Sequence, residues 1–315
     1  MCDCKADDAR GWHEASAAGC SLQLDEATAL RLCALTGEFY RANAESFSQT
    51  RQARWQGWAR VLAAAGVAGD EISGVPAASD AVSAPGDVQR MGVTSRMEGA
   101  CGERDEDSLR VLDVACGNLR FERYLAERLG ANRLVCFAVD NCYPLVDQAQ
   151  SVAGLPQVSF QNLNVIDALA AESLTSVLEA PDAACDLAVA FGFMHHVPLE
   201  RWRVALLHAL AAKVRSGGVV VVSFWRFLNS EKLAKKAAVT TKEAQDALGL
   251  PQLPPNDFLL GWQDTQGLYR YCHHFDESEI ERLTCAVADI AQPIARFAAD
   301  GKTGNLNEYL VLRVK

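Results

Sequence analysis

The 315-residue sequence predicts an α/β fold: a seven-stranded, mainly parallel sheet with helices on both faces, closed by a C-terminal antiparallel hairpin. Three observations predict it. From residue 109 onward, short apolar runs alternate with amphipathic segments, the pattern of parallel strands joined by crossover helices. The first run, Arg110-Val111-Leu112-Asp113-Val114, enters a small-residue turn, Ala115-Cys116-Gly117-Asn118, and then a helix over 121–129. The last two runs flank Asp300-Gly301-Lys302-Thr303-Gly304-Asn305 and read as a hairpin with a Gly-rich loop.

Taken in chain order, residues 24–45 and 50–65 form two amphipathic helices carrying Phe39, Tyr40, Phe47, Trp55 and Trp58. They make residues 1–65 an N-terminal helical cap region that contributes to the pocket. Residues 66–108 are rich in Gly, Ala, Ser, Pro and Asp with no sustained periodicity, the signature of a disordered acidic insertion. The domain proper is expected over 109–315. Its strands fall at 110–114, 134–140, 158–162, 185–191, 218–225, 287–297 and 307–313. Pro293 interrupts the sixth of these or marks its true start.

The bulk numbers narrow the class. Half of the chain is apolar and 22% is charged, which suits a soluble globular protein. No apolar run approaches the ~18 residues of a membrane span. The N-terminus lacks the basic-then-apolar plan of a secretory signal, so a cytoplasmic protein is expected. The eleven cysteines include no CxxC pair, and Cys116, Cys136, Cys185 and Cys285 sit in apolar or small-residue contexts typical of reduced core thiols. Cys2 and Cys4 have no His or Cys partners nearby, so no metal site is expected. A net charge of −10 argues against a generally basic nucleic-acid binder. Nine acids and three arginines between residues 63 and 108 supply −6 of it. The remaining body can still present a local basic cleft.

The first strand–turn–helix unit is followed by a strand ending on Asp140, the position from which an acid accepts ribose hydroxyls. A dinucleotide fingerprint wants three glycines; Gly117 stands alone between Ala115 and Leu119. A ligand without phosphates, carrying an amino acid and adenosine, asks less of this turn. Asp113 either caps its strand or pairs with an α-ammonium. Downstream, Asn162-Leu163-Asn164-Val165-Ile166-Asp167 ends the third strand, and Phe191-Gly192-Phe193-Met194-His195-His196 follows the fourth. Arg215-Ser216-Gly217-Gly218 precedes the fifth.

These blocks resemble class I S-adenosylmethionine-dependent methyltransferases, whose Rossmann-like sheet also closes with an antiparallel hairpin. The resemblance implies S-adenosylmethionine as cofactor, bound by Asp113, Ala115, Gly117, Asp140, Asn141, Asp167 and Phe191. Asp167 would accept from the adenine amino group. The family usually has Gly at Ala115 and Leu119.

Three further blocks resemble the tRNA wobble-uridine carboxymethyl methyltransferases. They are Phe39-Tyr40 with Phe47-Ser48-Gln49-Thr50-Arg51 and Trp55; His195-His196 with Arg201-Trp202-Arg203; and Asp257-Phe258-Leu259-Leu260-Gly261-Trp262 with Arg270-Tyr271-Cys272-His273-His274-Phe275. Here Trp262 is followed by Gln263 where that group has His. The resemblance implies O-methylation of a carboxylate on a modified wobble uridine in tRNA, which needs orienting cations and donors but no general base. It puts His195, Arg270 and His273 in catalysis, and Arg51, His196, Trp225, Arg226, Trp262 and Tyr271 against the substrate. The partners are then tRNA or a small-molecule acceptor, with room for a small activator subunit and no membrane. A hydroxyl or amine acceptor would instead need a His base, and a non-catalytic cofactor-binding subunit is a reading from another class. His195-His196 could equally be a buried hydrogen-bonding pair. The cluster Lys232, Lys235, Lys236 and Lys242 could equally be a solvated helix face or an RNA contact.

Overall fold

The computed structural model describes residues 24–67, 108–147, 155, 157–263 and 265–315. The insertion expected over 66–108 falls almost wholly outside these residues, as do Cys2 and Cys4. Of the expected core thiols, Cys116, Cys136 and Cys185 are buried, whereas Cys285 is exposed, on the outer face of the helix Glu277–Ala286.

Asp25 opens α1 (Glu26–Gln49) by accepting the Thr28 backbone N–H at 2.7 Å, which satisfies one of the donors a helix start leaves unpaired. Ala29, Leu32, Thr36, Phe39 and Asn43 recur every three or four residues and form its buried face. The second helix, α2 (Gly57–Ala65), starts at residue 57 rather than 50. Tertiary contacts claim the intervening backbone: Asn118 Nδ2 donates to the Arg51 carbonyl (3.2 Å), and Arg120 donates to that of Ala53 (3.0 Å). Gly57 N–H in turn donates to Asp300 (3.1 Å).

The sheet then follows as β1 (Leu109–Val114), α3 (Arg120–Leu129), β2 (Leu134–Asp140), α4 (Tyr143–Asp147), β3 (Val158–Asn162), α5 (Val165–Ala170), α6 (Leu174–Val177), β4 (Cys185–Ala190), α7 (Glu200–Lys213) and β5 (Val214–Trp225). After α8 (Glu231–Leu248), β6 (Asp257–Leu260) and β7 (Arg270–His273) come α9 (Glu277–Ala286), β8 (Ala291–Ala299) and β9 (Asn307–Val314). The seven-stranded sheet has the order β3-β2-β1-β4-β5-β9-β8. Strands β1 to β5 pair in parallel; β9 runs antiparallel to both β5 and β8. The predicted seven-stranded sheet with its closing hairpin is therefore the observed one. One face buries Leu206, Leu207 and Leu210 of α7 with Ile280 and Leu283 of α9; the other buries Trp58, Phe121, Tyr124 and Leu125. Chain order reverses between β1 and β4, and the crevice beyond the carboxyl ends of such strands is where ligands of open α/β sheets bind.

Three details differ from expectation. β8 starts at Ala291, and Pro293 lies inside it at a shift of register. That strand is at the sheet edge, where a missing N–H costs no ladder bond. β5 begins at Val214, ahead of Gly217-Gly218. A Cβ on Gly218 would lie 2.9 Å from the Asp186 carbonyl, so close strand approach requires glycine there. The third difference is β6–β7, an antiparallel pair outside the main sheet that no sequence pattern announced. Its four-residue strands are too short to show a period, yet they pack on α1 and α8 and bring Arg270 to the site. Among the described residues, no helix is long and apolar enough to cross a membrane.

Candidate active site

Two adjoining cavities lie beyond the carboxyl ends of β1, β2 and β4. The first, about 640 Å³, is lined by all seven residues expected to hold the cofactor: Asp113, Ala115, Gly117, Asp140, Asn141, Asp167 and Phe191. Its volume lies within the usual range for small-ligand pockets. Its roof is α1 and the loop after it, through Gly37, Tyr40, Phe47 and Arg51.

The turn after β1 is held by the Ala115 and Cys116 N–H groups, which donate to the Val139 carbonyl at 2.7 and 3.1 Å. Ala115, Gly117 and Leu119 all have positive φ, at 65°, 57° and 55°. The two residues standing where the resemblance expects glycine thus keep the glycine conformation. Left-handed backbone costs an L-residue roughly 1–2 kcal/mol, so the turn carries strain at two positions. A Cβ on Gly117 would meet nothing within 4 Å, which leaves the backbone open to a ligand. Gly117 N–H donates to Asp140 Oδ2 (2.9 Å) and Cys142 N–H to Oδ1 (2.7 Å), fixing that carboxyl at the end of β2. Burial raises the Asp140 pKa, and those N–H bonds counter it. Asp167 sits in the first turn of α5, accepting from Asn164 Nδ2 at 2.6 Å.

Asp113 is 3% exposed, and its pKa is driven well above the carboxylate range by burial and then by Glu122 and Asp140. Glu122, in the first turn of α3, is fully buried and pushed up to about 7 by the same burial. Sequence reasoning missed Glu122, because an acid in a first helical turn reads simply as a complement to the helix dipole.

The second cavity, about 760 Å³, shares Tyr40, Phe47, Arg51, Trp55 and Gly192 with the first. Its own lining includes His195, Trp225, Lys236, Trp262 and Arg270. Arg51 lies over the rings of Phe47 and Trp262, its guanidinium carbon 4.5 and 4.8 Å from their centroids. Arg270 is 6% exposed, ringed by Phe39, Tyr40, Phe47 and Trp225. Its Nη1 donates to Tyr40 Oη at 3.0 Å, and its Nε has no partner. Among the described residues no carboxylate forms an ion pair with either arginine. Burial, and then the charge of Arg270, lowers the Arg51 pKa.

His196 completes a chain from Arg270. Its Nδ1 lies 2.6 Å from the Tyr271 carbonyl, which only accepts, so Nδ1 carries the proton and Nε2 accepts from Tyr40 Oη (2.9 Å). Burial, aided by Arg270, pushes the His196 pKa down to about 3, so this ring stays neutral. His195 lies at a tilt against Trp225, ring centroids 5.1 Å apart, with its Nδ1 unpartnered; burial, then His196 and Arg270, hold its pKa well below the usual value. His195, His196 and Cys272 have donor atoms within 4.8 Å of one another. Both ring nitrogens of His196 are already hydrogen-bonded and a buried guanidinium adjoins, so the cluster is not assigned to a metal.

Three expected site residues lie elsewhere. Tyr271 is fully buried and donates its hydroxyl to Asp257 (2.6 Å); its contribution is the carbonyl that orients His196. His273 is locked between Asp257 (2.5 Å) and Glu279 (2.7 Å) and lines neither cavity. Glu279 is also paired with Arg203, so this is a core network. Arg226 pairs with Glu277 and Glu308 and likewise lines neither cavity. Tyr40, Trp55 and Asn118 belong to the site and were not singled out; the first two stood within the aromatic blocks that could have marked them.

A cavity with three aspartates near its strand ends, an open turn and no cradle of phosphate-binding glycines fits an amino-acid-bearing sulfonium nucleoside. The fold and this site define a class I S-adenosylmethionine-dependent methyltransferase. More particularly, a family model described as a methyltransferase domain matches residues 93–284, over half of the chain, and the chain belongs to that family. Among solved structures it is similar to an S-adenosylmethionine-dependent methyltransferase from Methanosarcina mazei, at 17% identity and TM-score 0.49 over 66% of this chain and 93% of that one. A Listeria monocytogenes protein described as S-adenosylmethionine-dependent shows 12% identity and TM-score 0.43, over 68% and 94%. A Haloferax volcanii methyltransferase crystallised with the Trm112 activator shows 12% identity and TM-score 0.41, over 66% and 84%. No curated protein matches the chain.

Proposed function

We propose that the chain O-methylates a carboxylate, and that the acceptor is a modified wobble uridine in tRNA that bears one. The single observation that carries the carboxylate is Arg270, a buried guanidinium with no carboxylate partner among the described residues. A buried charge is normally paired, because leaving it alone costs several kcal/mol. An anionic acceptor supplies the missing partner, and a guanidinium fork grips a carboxylate in two places. Arg51, on the shared wall of the two cavities, adds a second cation. Trp225 and Trp262 offer aromatic faces of the kind on which splayed RNA bases stack, and Lys236 and Lys302 stand in the same lining.

Bound S-adenosylmethionine supplies an electrophilic methyl: the acceptor oxygen forms the new C–O bond while the bond to sulfur breaks and its electron pair stays on sulfur. The protein's task is to hold the carboxylate near attack distance. Arg270 and Arg51 orient it, and Tyr40 and the neutral His196 fix Arg270. A carboxylate is ionised near neutral pH, so no proton has to be removed.

A second reading, a hydroxyl or amine acceptor with His195 as base, is favoured by the unpartnered Nδ1 of that ring. Its weakness is that a base held far below neutrality takes protons poorly. The test is transfer of labelled methyl from S-adenosylmethionine into total tRNA and small-molecule fractions, followed by mild alkali. Label in tRNA released by alkali is the expected result, since esters hydrolyse. Alkali-stable label would overturn the carboxylate, and label confined to small molecules would overturn tRNA.

A further inference from the structure

Beneath the floor of the first cavity lies an acid pair that neither the fold nor methyl transfer requires. Asp113, next to last in β1, lines the cavity; Glu122 stands behind it on α3, close enough to raise the Asp113 pKa, and does not reach the cavity. As bare carboxylates, Asp113 Oδ1 and both Glu122 oxygens have no hydrogen-bond partner, so a bond between the two side chains requires a proton on one of them. Both residues are essentially unexposed. Two buried carboxyls in mutual contact cannot both ionise cheaply, so one proton lies between them. The charged and titratable groups facing the pair are few. From β2 come Asp140 and the Cys136 thiol, from the turn the Cys116 thiol, and from α3 Arg123; Arg41, Arg51 and Arg120 stand in the lining of the cavity that Asp113 floors. Burial pushes the Glu122 carboxyl to about 7, so the shared proton is exchangeable near neutral pH.

We propose that Asp113 and Glu122 form a proton-exchanging pair that senses the charge of the bound nucleoside, giving up a proton when the sulfonium donor binds and regaining it when the uncharged thioether by-product is left. Donor and by-product share the amino acid and adenosine and differ by one methyl and one positive charge. A cation brought beside Asp113 stabilises the fully ionised pair and sends its proton to solvent. Loss of that charge on methyl transfer favours reprotonation, which weakens the hold on the by-product and aids its release. Glu122 acts through Asp113, so it is a positioning residue. The inference rests on the cofactor class and is independent of the acceptor's identity.

The experiment is isothermal titration of the full chain with S-adenosylmethionine and with S-adenosylhomocysteine, in buffers of different ionisation enthalpy, from pH 6 to 8. The expected result is a proton release that approaches one per donor bound near pH 7 and is distinctly smaller for the by-product. The donor Kd should then fall with pH, by at most about tenfold per unit, the limit for one linked proton. In Glu122→Gln, which keeps the shape and cannot titrate, the release and the pH slope should vanish for both ligands. Equal proton counts for the two ligands in the unaltered protein would overturn the proposal, as would an unchanged release in Glu122→Gln. If Glu122→Gln does not fold, Asp113→Asn and the comparison of the two ligands in the unaltered protein decide between the same outcomes. Failure of either nucleoside to bind would instead strike at the cofactor.

Discussion

The two cavities differ in almost every physical respect although they share a wall. The first is built from strand ends and tight turns of the main sheet, with Asp113, Asp140 and Asp167 at or just beyond three strand ends and Arg41, Arg51 and Arg120 elsewhere in its lining. The second is cationic and aromatic, and it draws Arg51 from the loop after α1, His195 from the turn after β4 and Arg270 from the two-stranded β6–β7. The first presents three aspartates to a cationic ligand; the second carries Arg51 and Arg270 without an ion pair among the described residues, beside an Asp300 already taken up by Gly57, Asn307 and Tyr309, and suits an anion. Under the proposed function, methyl donor and acceptor occupy these two compartments and meet near the residues common to both, Tyr40, Phe47, Arg51, Trp55 and Gly192.

The sharpest way to break the contrast is Arg270→Gln. Acceptor kcat/KM should drop by roughly 30-fold to several thousand-fold, matching the 2–5 kcal/mol lost when one partner of a buried charge pair is removed. Donor affinity, measured by calorimetry, should stay within about twofold. An equal loss in both measurements would mean that the compartments are not separate. The reciprocal variant, Asp140→Ala, removes the acceptor of two backbone N–H groups. It should weaken donor binding by about ten- to a hundredfold while leaving the acceptor KM at saturating donor nearly unchanged.

Two smaller effects sharpen the picture of the acidic side. Glu122 has a raised pKa in the folded protein, so its burial is harmless below the ordinary glutamate pKa and destabilising once pH rises through about 7. Glu122→Gln should therefore raise the melting temperature more at pH 8.5 than at pH 5.5, by a few degrees. His196 works in the other direction. Its pKa is depressed to about 3, so its contribution is complete above about 6.5 and is lost as acid protonates the ring. The unaltered protein should thus be most stable between these limits. The smallest expected effect is Ala115→Gly, which relieves a left-handed residue at φ 65° and should stabilise by about 1 kcal/mol or less. A loss of stability there would show that the turn is not strained.

The same contrast explains what could be read from the residues. Asp113, Gly117, Asp140 and Asp167 were legible because strand, turn and acid follow one another locally, and a parallel sheet then places them side by side. The missing glycines were informative about the ligand and misleading about the backbone, since Ala115 and Leu119 adopt the glycine conformation anyway. On the acceptor side, the block from Arg270 to His274 suggested several functional residues together. A β-strand sends neighbours to opposite faces: Arg270 reaches the cavity, Tyr271 enters the core, and His273 joins a buried network with Asp257 and Glu279.

By itself the sequence determined the sheet, its hairpin and the acids that line the first cavity, because periodicity, turns and strand-end positions are properties of short segments. Only the tertiary structure decided which arginines lack a carboxylate, which histidine nitrogen holds a proton, and that Glu122 lies against Asp113. Those facts depend on which distant groups share one desolvated space, and burial sets the strength of a charge only after the chain has closed around it.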